Sequence, residues 1–375
     1  MVWTEETWDK MDPQHYYREF AKRIRAWQTP KIISLGYAVP EQFYSQEEIF
    51  AALGYPKRFW RAFKDSGIEK RHFWVPLSEI KKMPWQQMCE KYKAGAIELS
   101  REALINCLDG RDPRSIGCVV FCSCTGFGCP GPVVPHYLSK ELGFSPDTYF
   151  RNLGSHGCEG GFPGLRTAWE FSTVTGKPSL VITCELCSCS YFPEPKEKPD
   201  PENHFELMRS NSIFGDAAAA ALVGFDDDPR HPFIIDSETC TNTDYIGDLG
   251  YTWRDGRLRV LLSRRVPELA PLVVKPAVDA MLQRQGLSLD DISWWVIHAA
   301  GNTVLDNIRD ALGIAEEKVT LSRGTLREFG NTSSTSVGIT GKRLMVEDIR
   351  PGDYAAVLSI GPGMTGGISL LRWLY

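Results

Sequence analysis

The chain has 375 residues, of which 43% are hydrophobic and 24% are charged, a balance typical of a folded globular protein. Its 42 basic and 47 acidic residues leave a formal net charge of -5. Such a charge does not indicate a positively charged surface for binding nucleic acid or an anionic membrane. We therefore expect small molecules and protein as partners.

Cysteine usage and the first residues bear on location. Eleven cysteines form an odd set, and the start of the sequence lacks the basic and apolar regions of a secretory signal. No apolar run approaches the roughly 20 residues that a membrane-spanning helix needs. We expect a reducing, cytoplasmic environment and no membrane span.

Strand-like and helical patterns alternate along the chain. Residues 1–30 carry apolar side chains at helical spacing and predict an amphipathic leader helix. A first α/β half follows at 31–228, and the charged stretch FDDDPRHP separates it from a second half at 229–375, which includes a predicted helix at 266–285. The alternation predicts an α/β fold with two similar halves.

One segment between two apolar runs, residues 190–204, is rich in proline and charge. This composition is typical of an exposed loop. Because the segment lies near the candidate site residues in the sequence, it is also a candidate lid.

A cysteine stands at a strand-to-helix junction in the run GSHGCEGGFPGLRTA. Cys158 has small neighbours, and a helical pattern begins near Phe162 or Pro163. Unpaired amides and the positive end of a helix dipole stabilise a thiolate, which predicts a lowered thiol pKa and a nucleophile. The alternative is a buried structural cysteine, and the neighbouring Glu159 opposes thiolate formation.

Two polar residues follow apolar runs in the second half. His298 ends the strand in WWVIHAAGN, and Asn331 lies in EFGNTSST before an apolar helix. Taken singly, they also fit a hydrogen-bonded core histidine and a helix N-cap. With Cys158 they admit either a papain-like hydrolase or a condensing enzyme whose histidine and asparagine donate to a thioester oxygen. The residues around Cys158, HGCEGG, lack the papain signature and favour the condensing enzyme.

Two groups of cysteines offer a metal site as a chemical rival. The six residues are Cys122, Cys124, Cys129, Cys184, Cys187 and Cys189. Structural zinc sites usually pair cysteines in turns, whereas the second group lies in a strand-like run that spreads its thiols over both faces. Burial as small hydrophobic residues explains these cysteines better.

Several motifs resemble the chalcone synthase-like type III polyketide synthases of the thiolase superfamily, especially the bacterial ones. Besides the segment around Cys158, they are SCTGFGCPGP at 123–132, ELCSCS at 185–190, SIFGDAAAA at 212–220 and SIGPGMTGG at 359–367. The resemblance implies a thiolase-like fold, in which two similar α/β halves form a layered αβαβα core, and a homodimer.

The same resemblance implies roles for single residues. Cys158 is similar to the family's nucleophile, His298 and Asn331 to its other triad members, and Phe214 to the gatekeeper between a coenzyme A tunnel and the acyl cavity. The other implied substrate-binding positions are Thr125, Cys129, Cys187, Ser190, Gly215, Val260 and Ser333. Of these, Cys129 belongs to the loop that reaches the neighbouring subunit.

A basic segment, KRFWRAFKDSGIEKRHF at 57–73, resembles the family's helix for coenzyme A. The resemblance implies that Arg58, Arg61 and Lys64 contact phosphates and that Gly301 is a further coenzyme A contact, although Asp65 stands where a cation is usual. The alternative is a set of solvated helix charges.

The resemblance implies a decarboxylating Claisen condensation. An acyl-CoA starter loads on Cys158, activated by the helix end and an ion pair with His298; malonyl-CoA extends it, and the chain cyclises to a pyrone or a phenol. Coenzyme A thioesters are substrates, and no metal or redox cofactor is implied.

HAAGN and GNTSST also resemble ketoacyl-acyl carrier protein synthase III, so delivery by an acyl carrier protein stays open. A second alternative is a non-catalytic partner subunit of a condensing enzyme.

Overall fold

A computed structural model describes residues 29–80, 83–126, 134–190, 201–254 and 257–374. The predicted leader helix, up to residue 28, and Cys129 lie outside the described residues. No helix in the described part of the chain is long and apolar enough to cross a membrane. The cytoplasmic location stays a prediction.

Strands and helices alternate as the sequence predicts. The strands are β1 Lys31–Ala38, β2 Phe43–Ser45, β3 Lys70–His72, β4 Cys118–Ser123, β5 Tyr149–Gly154, β6 Ser179–Leu186, β7 Asp216–Gly224, β8 Phe233–Thr241, β9 Leu249–Arg254, β10 Arg257–Leu262, β11 Ile292–Ile297, β12 Tyr354–Gly361 and β13 Thr365–Arg372. The helices are α1 Gln46–Leu53, α2 Trp60–Lys64, α3 Leu77–Ile80, α4 Trp85–Leu108, α5 Val134–Leu142, α6 Gly161–Thr175, α7 Pro201–Ile213, α8 Val266–Gln285, α9 Asn302–Leu312, α10 Thr320–Phe329 and α11 Ser336–Leu344.

The main sheet repeats one strand plan. Its order is β5-β4-β6-β7-β1-β8-β13-β12-β11. In the first half β4 and β6 are parallel and β7 and β1 follow antiparallel; in the second half β11, β12, β13 and β8 repeat that pattern. Within the sheet, the two halves join where β1 lies beside β8, at the pair Lys31 and Phe233. The boundary between residues 228 and 229 stays a prediction.

Helices cover both halves and also separate them. The long helices α4 and α8 pack on the strands of the first and second half, respectively, whereas α6 and α11 each contact strands of both halves. Two helices therefore lie between the halves of the sheet and the long helices lie outside. The thiolase-like αβαβα core predicted from the sequence is confirmed.

Strand β4 shows why the central strands appear as continuous apolar runs in the sequence. Val119 and Phe121 pack in the hydrophobic cluster beneath α4, whereas Cys118, Val120 and Cys122 pack in the central cluster. Side chains alternate between two faces that are both buried, so polar positions disappear from the strand. The thiols of Cys118 and Cys122 are free and buried, as expected for small hydrophobic residues.

Helix boundaries agree with the sequence in most places. The predicted helix at 266–285 is confirmed as α8. The predicted loop at 190–204 is wrong in its last part, because α7 begins at Pro201. Proline is favoured at the first position of a helix, where no intrahelical N–H is needed, so the same residue that suggested a loop starts the helix.

Candidate active site

Cys158 lies in a short 3-10 turn, Gly157–Glu159, between β5 and α6. Gly157 has a φ of 59°, and a Cβ on it would lie 2.5 Å from Cδ of Pro362. Only glycine combines this left-handed backbone with this close approach. The turn is therefore pressed against the loop that follows β12, and the Cys158 side chain is only 7% exposed.

His298 follows the last residue of β11. Its backbone N–H donates to the Leu358 carbonyl at 2.9 Å, which continues the pairing with β12 one residue past the strand. The imidazole is 1% exposed, and its Nδ1 lies 2.5 Å from Oγ of Ser336 at the start of α11. The ring is thus fixed from its Nδ1 side.

Asn331 lies between α10 and α11 and pairs with the segment that carries the predicted gatekeeper. Its N–H donates to the Ile213 carbonyl at 2.8 Å, and its own carbonyl accepts from Gly215 N at 3.0 Å. Its side-chain Oδ1 accepts from Ser333 N at 2.8 Å, and Nδ2 donates to the Ala300 carbonyl at 3.1 Å. The backbone donor fixes which amide atom is oxygen, and Nδ2 keeps a second hydrogen for a ligand.

A buried arginine holds the gatekeeper segment in place. The Arg71 guanidinium, 0% exposed, donates to the carbonyls of Asn211 and Phe214 at 2.8 Å each and to Gln46 Oε1 at 2.7 Å. A Cβ on Gly215 would lie 2.4 Å from the Phe329 carbonyl, so the two backbones touch there. The position of Phe214 is therefore set by backbone contacts.

One cavity of about 360 Å³ connects these residues. Cys158, His298, Asn331 and Phe214 all line it, so the structure brings the predicted triad and gatekeeper together. Its wall is mainly apolar, with Ile213, Leu249, Leu262, Val266, Val304 and Ile360. A mainly apolar cavity with a few convergent polar groups is the usual form of a ligand site.

The residues predicted to contact coenzyme A separate into two groups. Arg61 and Gly301 line the cavity, and Arg61 pairs with Asp65 at 3.0 Å. Arg58 and Lys64 are exposed and are not among the lining residues; the Arg58 guanidinium lies 4.9 Å from the Phe59 ring centre. The carboxylate of Asp65, beside Arg61, reduces the net positive charge at this part of the cavity.

Other predicted substrate positions are not among the residues that line this cavity. Ser333 donates to the Cys158 sulfur at 3.4 Å, and Thr125 donates to Glu185 at 2.9 Å. Cys187 is 5% exposed after β6, and Val260 lies in β10 opposite Tyr251. Ser190 has a side chain outside the described residues. Their roles stay predictions.

Sequence reasoning missed a buried carboxylate behind the nucleophile. Glu185 is 0% exposed and accepts from the amides of Cys124 and Thr125 and from the hydroxyls of Thr125 and Ser334. Two further arginines at the cavity, Arg209 and Arg264, were also missed. A charged residue inside the apolar strand PSLVITCEL was the available signal for Glu185, since such a residue needs partners.

The protonation states differ from the expected ion pair. Burial raises the pKa of the Cys158 thiol to about 12, although the Ser333 hydroxyl acts in the opposite direction. Burial also lowers the pKa of His298 to about 3. Both groups are therefore neutral near pH 7, because desolvation penalises each charged form. The sequence showed the helix end but not the depth of burial.

Glu159 is the carboxylate that sequence analysis set against the nucleophile. Its side chain is 6% exposed, and burial raises its pKa to about 7. A Cβ on Gly361 would lie 2.5 Å from its Cβ, so the side chain leaves the turn toward β12. The carboxylate that raises the Cys158 pKa is Glu185.

Comparison with known proteins identifies the relatives of the chain. The sequence profile of the N-terminal domain of chalcone and stilbene synthases matches residues 77–227, and the profile of the 3-oxoacyl-[acyl-carrier-protein] synthase III C-terminal domain matches residues 282–373. The 3,5-dihydroxyphenylacetyl-CoA synthase of Streptomyces toyocaensis is 29% identical over 367 residues, covering 92% of this chain and 90% of that protein. The 1,3,6,8-tetrahydroxynaphthalene synthase of Streptomyces griseus is 26% identical over 359 residues, covering 90% and 91%.

Solved structures agree on the fold. The crystal structure of 1,3,6,8-tetrahydroxynaphthalene synthase from Streptomyces coelicolor superposes with a TM-score of 0.83 at 23% identity and covers 92% of this chain and 99% of that one. Fold and site together define a condensing enzyme, an acyltransferase of the thiolase superfamily. Within that class, the chain belongs to the type III polyketide synthases, the chalcone synthase-like family. The full-length relatives give no support to the two alternatives, a carrier-protein-dependent synthase and a non-catalytic subunit.

The buried Glu159 predicts a specific pH dependence of stability. The pKa of Glu159 rises from 4.5 to about 7 on folding, so stability is full below pH 4.5 and falls as the pH rises toward 7. Glu159→Gln should raise the free energy of unfolding above pH 7 by up to about 3 kcal/mol and leave it unchanged at pH 4. Urea unfolding across this range measures the difference.

The control for this prediction is Glu170→Gln, which removes an exposed carboxylate on α6 that pairs with Arg166. It should lack the gain above pH 7. Equal pH profiles for the wild type and Glu159→Gln would contradict a buried, neutralised carboxyl group.

Proposed function

We propose that Cys158 carries the growing acyl chain and that His298 and Asn331 stabilise the enolate made from malonyl-CoA. The observation that supports this proposal is that the thiol, imidazole and carboxamide line one cavity, with Nδ1 of His298 and Oδ1 of Asn331 engaged by the protein. Nε2 of His298 and one hydrogen of Asn331 Nδ2 are left to face a ligand. Two donors aimed at one oxygen form an oxyanion hole.

Loading begins with a neutral thiol. The Cys158 sulfur attacks the starter thioester carbonyl, the bond between that carbonyl carbon and the coenzyme A sulfur breaks, and the thiol proton ends on the coenzyme A sulfur. The start of α6, directly after the turn, stabilises negative charge on the sulfur during this transfer. Burial then protects the acyl enzyme from water.

Extension follows in the same cavity. The malonyl thioester carbonyl accepts from His298 and Asn331, the bond to the carboxylate carbon breaks, and carbon dioxide leaves while its electron pair moves onto the enolate. The enolate carbon attacks the acyl thioester and releases the Cys158 sulfur. Decarboxylation supplies the driving force, so the step needs no metal or redox cofactor.

The positively charged side chains at the cavity favour coenzyme A as the carrier of the acyl groups. Arg61, Arg209 and Arg264 line the cavity, and Arg264 is exposed with no ion pair among the described residues. Cations at the mouth suit the phosphates of coenzyme A. The relatives named above are synthases of a dihydroxyphenyl and a tetrahydroxynaphthalene product, which favours a phenolic product over a pyrone.

A homodimer is the proposed assembly. Strand β5 ends the sheet and bonds only to β4 within the described residues, and Tyr149 on it is 59% exposed. An open strand edge with an exposed aromatic side chain is a surface that proteins usually cover. A second copy of the chain, paired through the same edge, would cover it symmetrically.

Variants of the triad separate loading from decarboxylation. His298→Ala and Asn331→Asp should reduce malonyl-CoA decarboxylation by about 100-fold to 1000-fold, because each loses a donor to the enolate oxygen. The aspartate keeps the acceptor for Ser333 N. Release of carbon dioxide from labelled malonyl-CoA gives the rate.

Cys158→Ala is the matched control, since it should keep decarboxylation and lose the acyl enzyme seen by mass spectrometry with a panel of acyl-CoA starters. The panel also identifies the starter and product. Full decarboxylation by His298→Ala and Asn331→Asp would remove both residues from this role.

Arg264→Ala tests delivery by coenzyme A. An exposed ion pair is worth about 0.2 to 1 kcal/mol, so KM for malonyl-CoA should rise up to about fivefold with kcat unchanged. Malonyl-N-acetylcysteamine lacks the phosphates, and its KM should not change. Arg58→Ala, an exposed arginine outside the cavity lining, should have the smaller effect. A carrier-protein-dependent enzyme would instead be inactive with malonyl-CoA alone.

The edge of β5 predicts the oligomeric state. Light scattering after size-exclusion chromatography should give twice the chain mass at micromolar concentration, and Tyr149→Lys should shift the protein toward the monomer. Val346→Lys, at an apolar position that is 80% exposed elsewhere, should stay dimeric. A monomeric wild type would refute the assembly, and a dimeric Tyr149→Lys would refute this edge.

A further inference from the structure

The proposed role of His298 requires a hydrogen on the nitrogen that faces the cavity. A neutral imidazole carries one hydrogen, on Nδ1 or on Nε2, and the partner of one nitrogen decides the position. Nδ1 is the nitrogen bound by the protein, through Ser336. Nε2 has no hydrogen-bond partner in the part of the chain that the structure describes.

The Ser336 hydroxyl is held in one orientation by its neighbours. Its Oγ lies 3.3 Å from the N–H of Ala299 and 2.5 Å from His298 Nδ1. A backbone amide can only donate, so it uses one lone pair of the oxygen and leaves the hydroxyl hydrogen for another acceptor. Among the described residues, Nδ1 is the acceptor within reach. The chain of donors thus runs from Ala299 N–H to Ser336 O–H to His298 Nδ1.

We propose that Ser336 is a positioning residue that holds His298 in the tautomer with its hydrogen on Nε2, aimed at the thioester oxygen. The inference rests on the proposed role of His298. Ser336 does not touch substrate, since it is 0% exposed at the first turn of α11 and is not among the residues that line the cavity. It acts by making Nδ1 an acceptor, so that Nε2 carries the hydrogen and donates, together with Asn331 Nδ2, to the enolate oxygen.

Because this pair is buried, protein contacts rather than solvent determine the tautomer of His298. Ala299 and Ser336 are both 0% exposed, so water does not compete for Nδ1. A hydrogen bond in such surroundings is stronger than in water, and an unmade one is costly. Without the hydroxyl, the imidazole is free to place its hydrogen on Nδ1 and to present a bare lone pair to the cavity.

Three substitutions at Ser336 test the inference. Ser336→Ala removes the donor, Ser336→Cys keeps the approximate volume with a weak donor, and Ser336→Thr keeps the hydroxyl. Loss of a hydrogen-bond partner behind a functional histidine costs about 10-fold to 100-fold in metal sites. We expect a similar fall in kcat for malonyl-CoA decarboxylation in the alanine and cysteine variants, with KM little changed, and recovery in the threonine variant.

Nitrogen NMR of histidine-labelled protein reads the tautomer without any turnover. In the wild type, His298 should show an acceptor-type Nδ1 and a protonated Nε2, assigned by the signals lost in His298→Gln. In Ser336→Ala and Ser336→Cys these signals should move toward a mixture of tautomers. Because the spectrum needs no substrate, it distinguishes failure of this inference from failure of the proposed function.

The matched control is Ser172→Ala, which removes a buried hydroxyl on α6 that bonds to Ser179. Thermal unfolding of both variants measures the structural cost. Ser172→Ala should leave the His298 nitrogen signals and the decarboxylation rate unchanged at a similar loss of stability. Wild-type rates in Ser336→Ala, or slow rates with unchanged nitrogen signals, would overturn the inference.

Discussion

Two backbone hydrogen bonds between residues 213–215 and Asn331 are the constraint on which the site depends. They join the end of the helix before β7 to the turn before α11, and so tie one half of the chain to the other. Arg71 holds the same region of the chain by donating to the carbonyls of Asn211 and Phe214. The cavity between Cys158 and His298 keeps its shape because its walls are joined by main-chain contacts, which no side-chain rotation can release.

The repeated strand plan explains why residues so distant in sequence meet. In each half, a turn leads into one of the two central helices, and those helices lie between the halves of the sheet. Cys158 occupies the turn before α6, and Ser333 occupies the turn before α11, 3.4 Å from its sulfur. A pseudo-symmetric pair of helix starts therefore provides the nucleophile on one side and the groups that orient its partners on the other.

Much of this arrangement could be predicted from the sequence. The fold followed from alternating apolar patterns and family motifs, and Cys158, His298 and Asn331 stood out because each follows or opens an apolar element beside small residues. The protonation of Cys158 and His298 could not be predicted, because burial is a property of the packed structure. Arg209, Arg264 and Ser336 were missed for a related reason. Each lies in an ordinary local sequence, and its role depends on residues that are distant in sequence but close in space.

The fit between Gly157 and Pro362 has a consequence for biosynthesis. A ribosome makes the nucleophile segment more than 200 residues before the segment that presses against it. During that interval the turn lacks its supporting wall, and β13, which lies in the interior of the sheet, does not yet exist. Until residue 362 has been added, a nascent chain that already carries Cys158 lacks this wall and the last strand of the sheet, so its site cannot be complete.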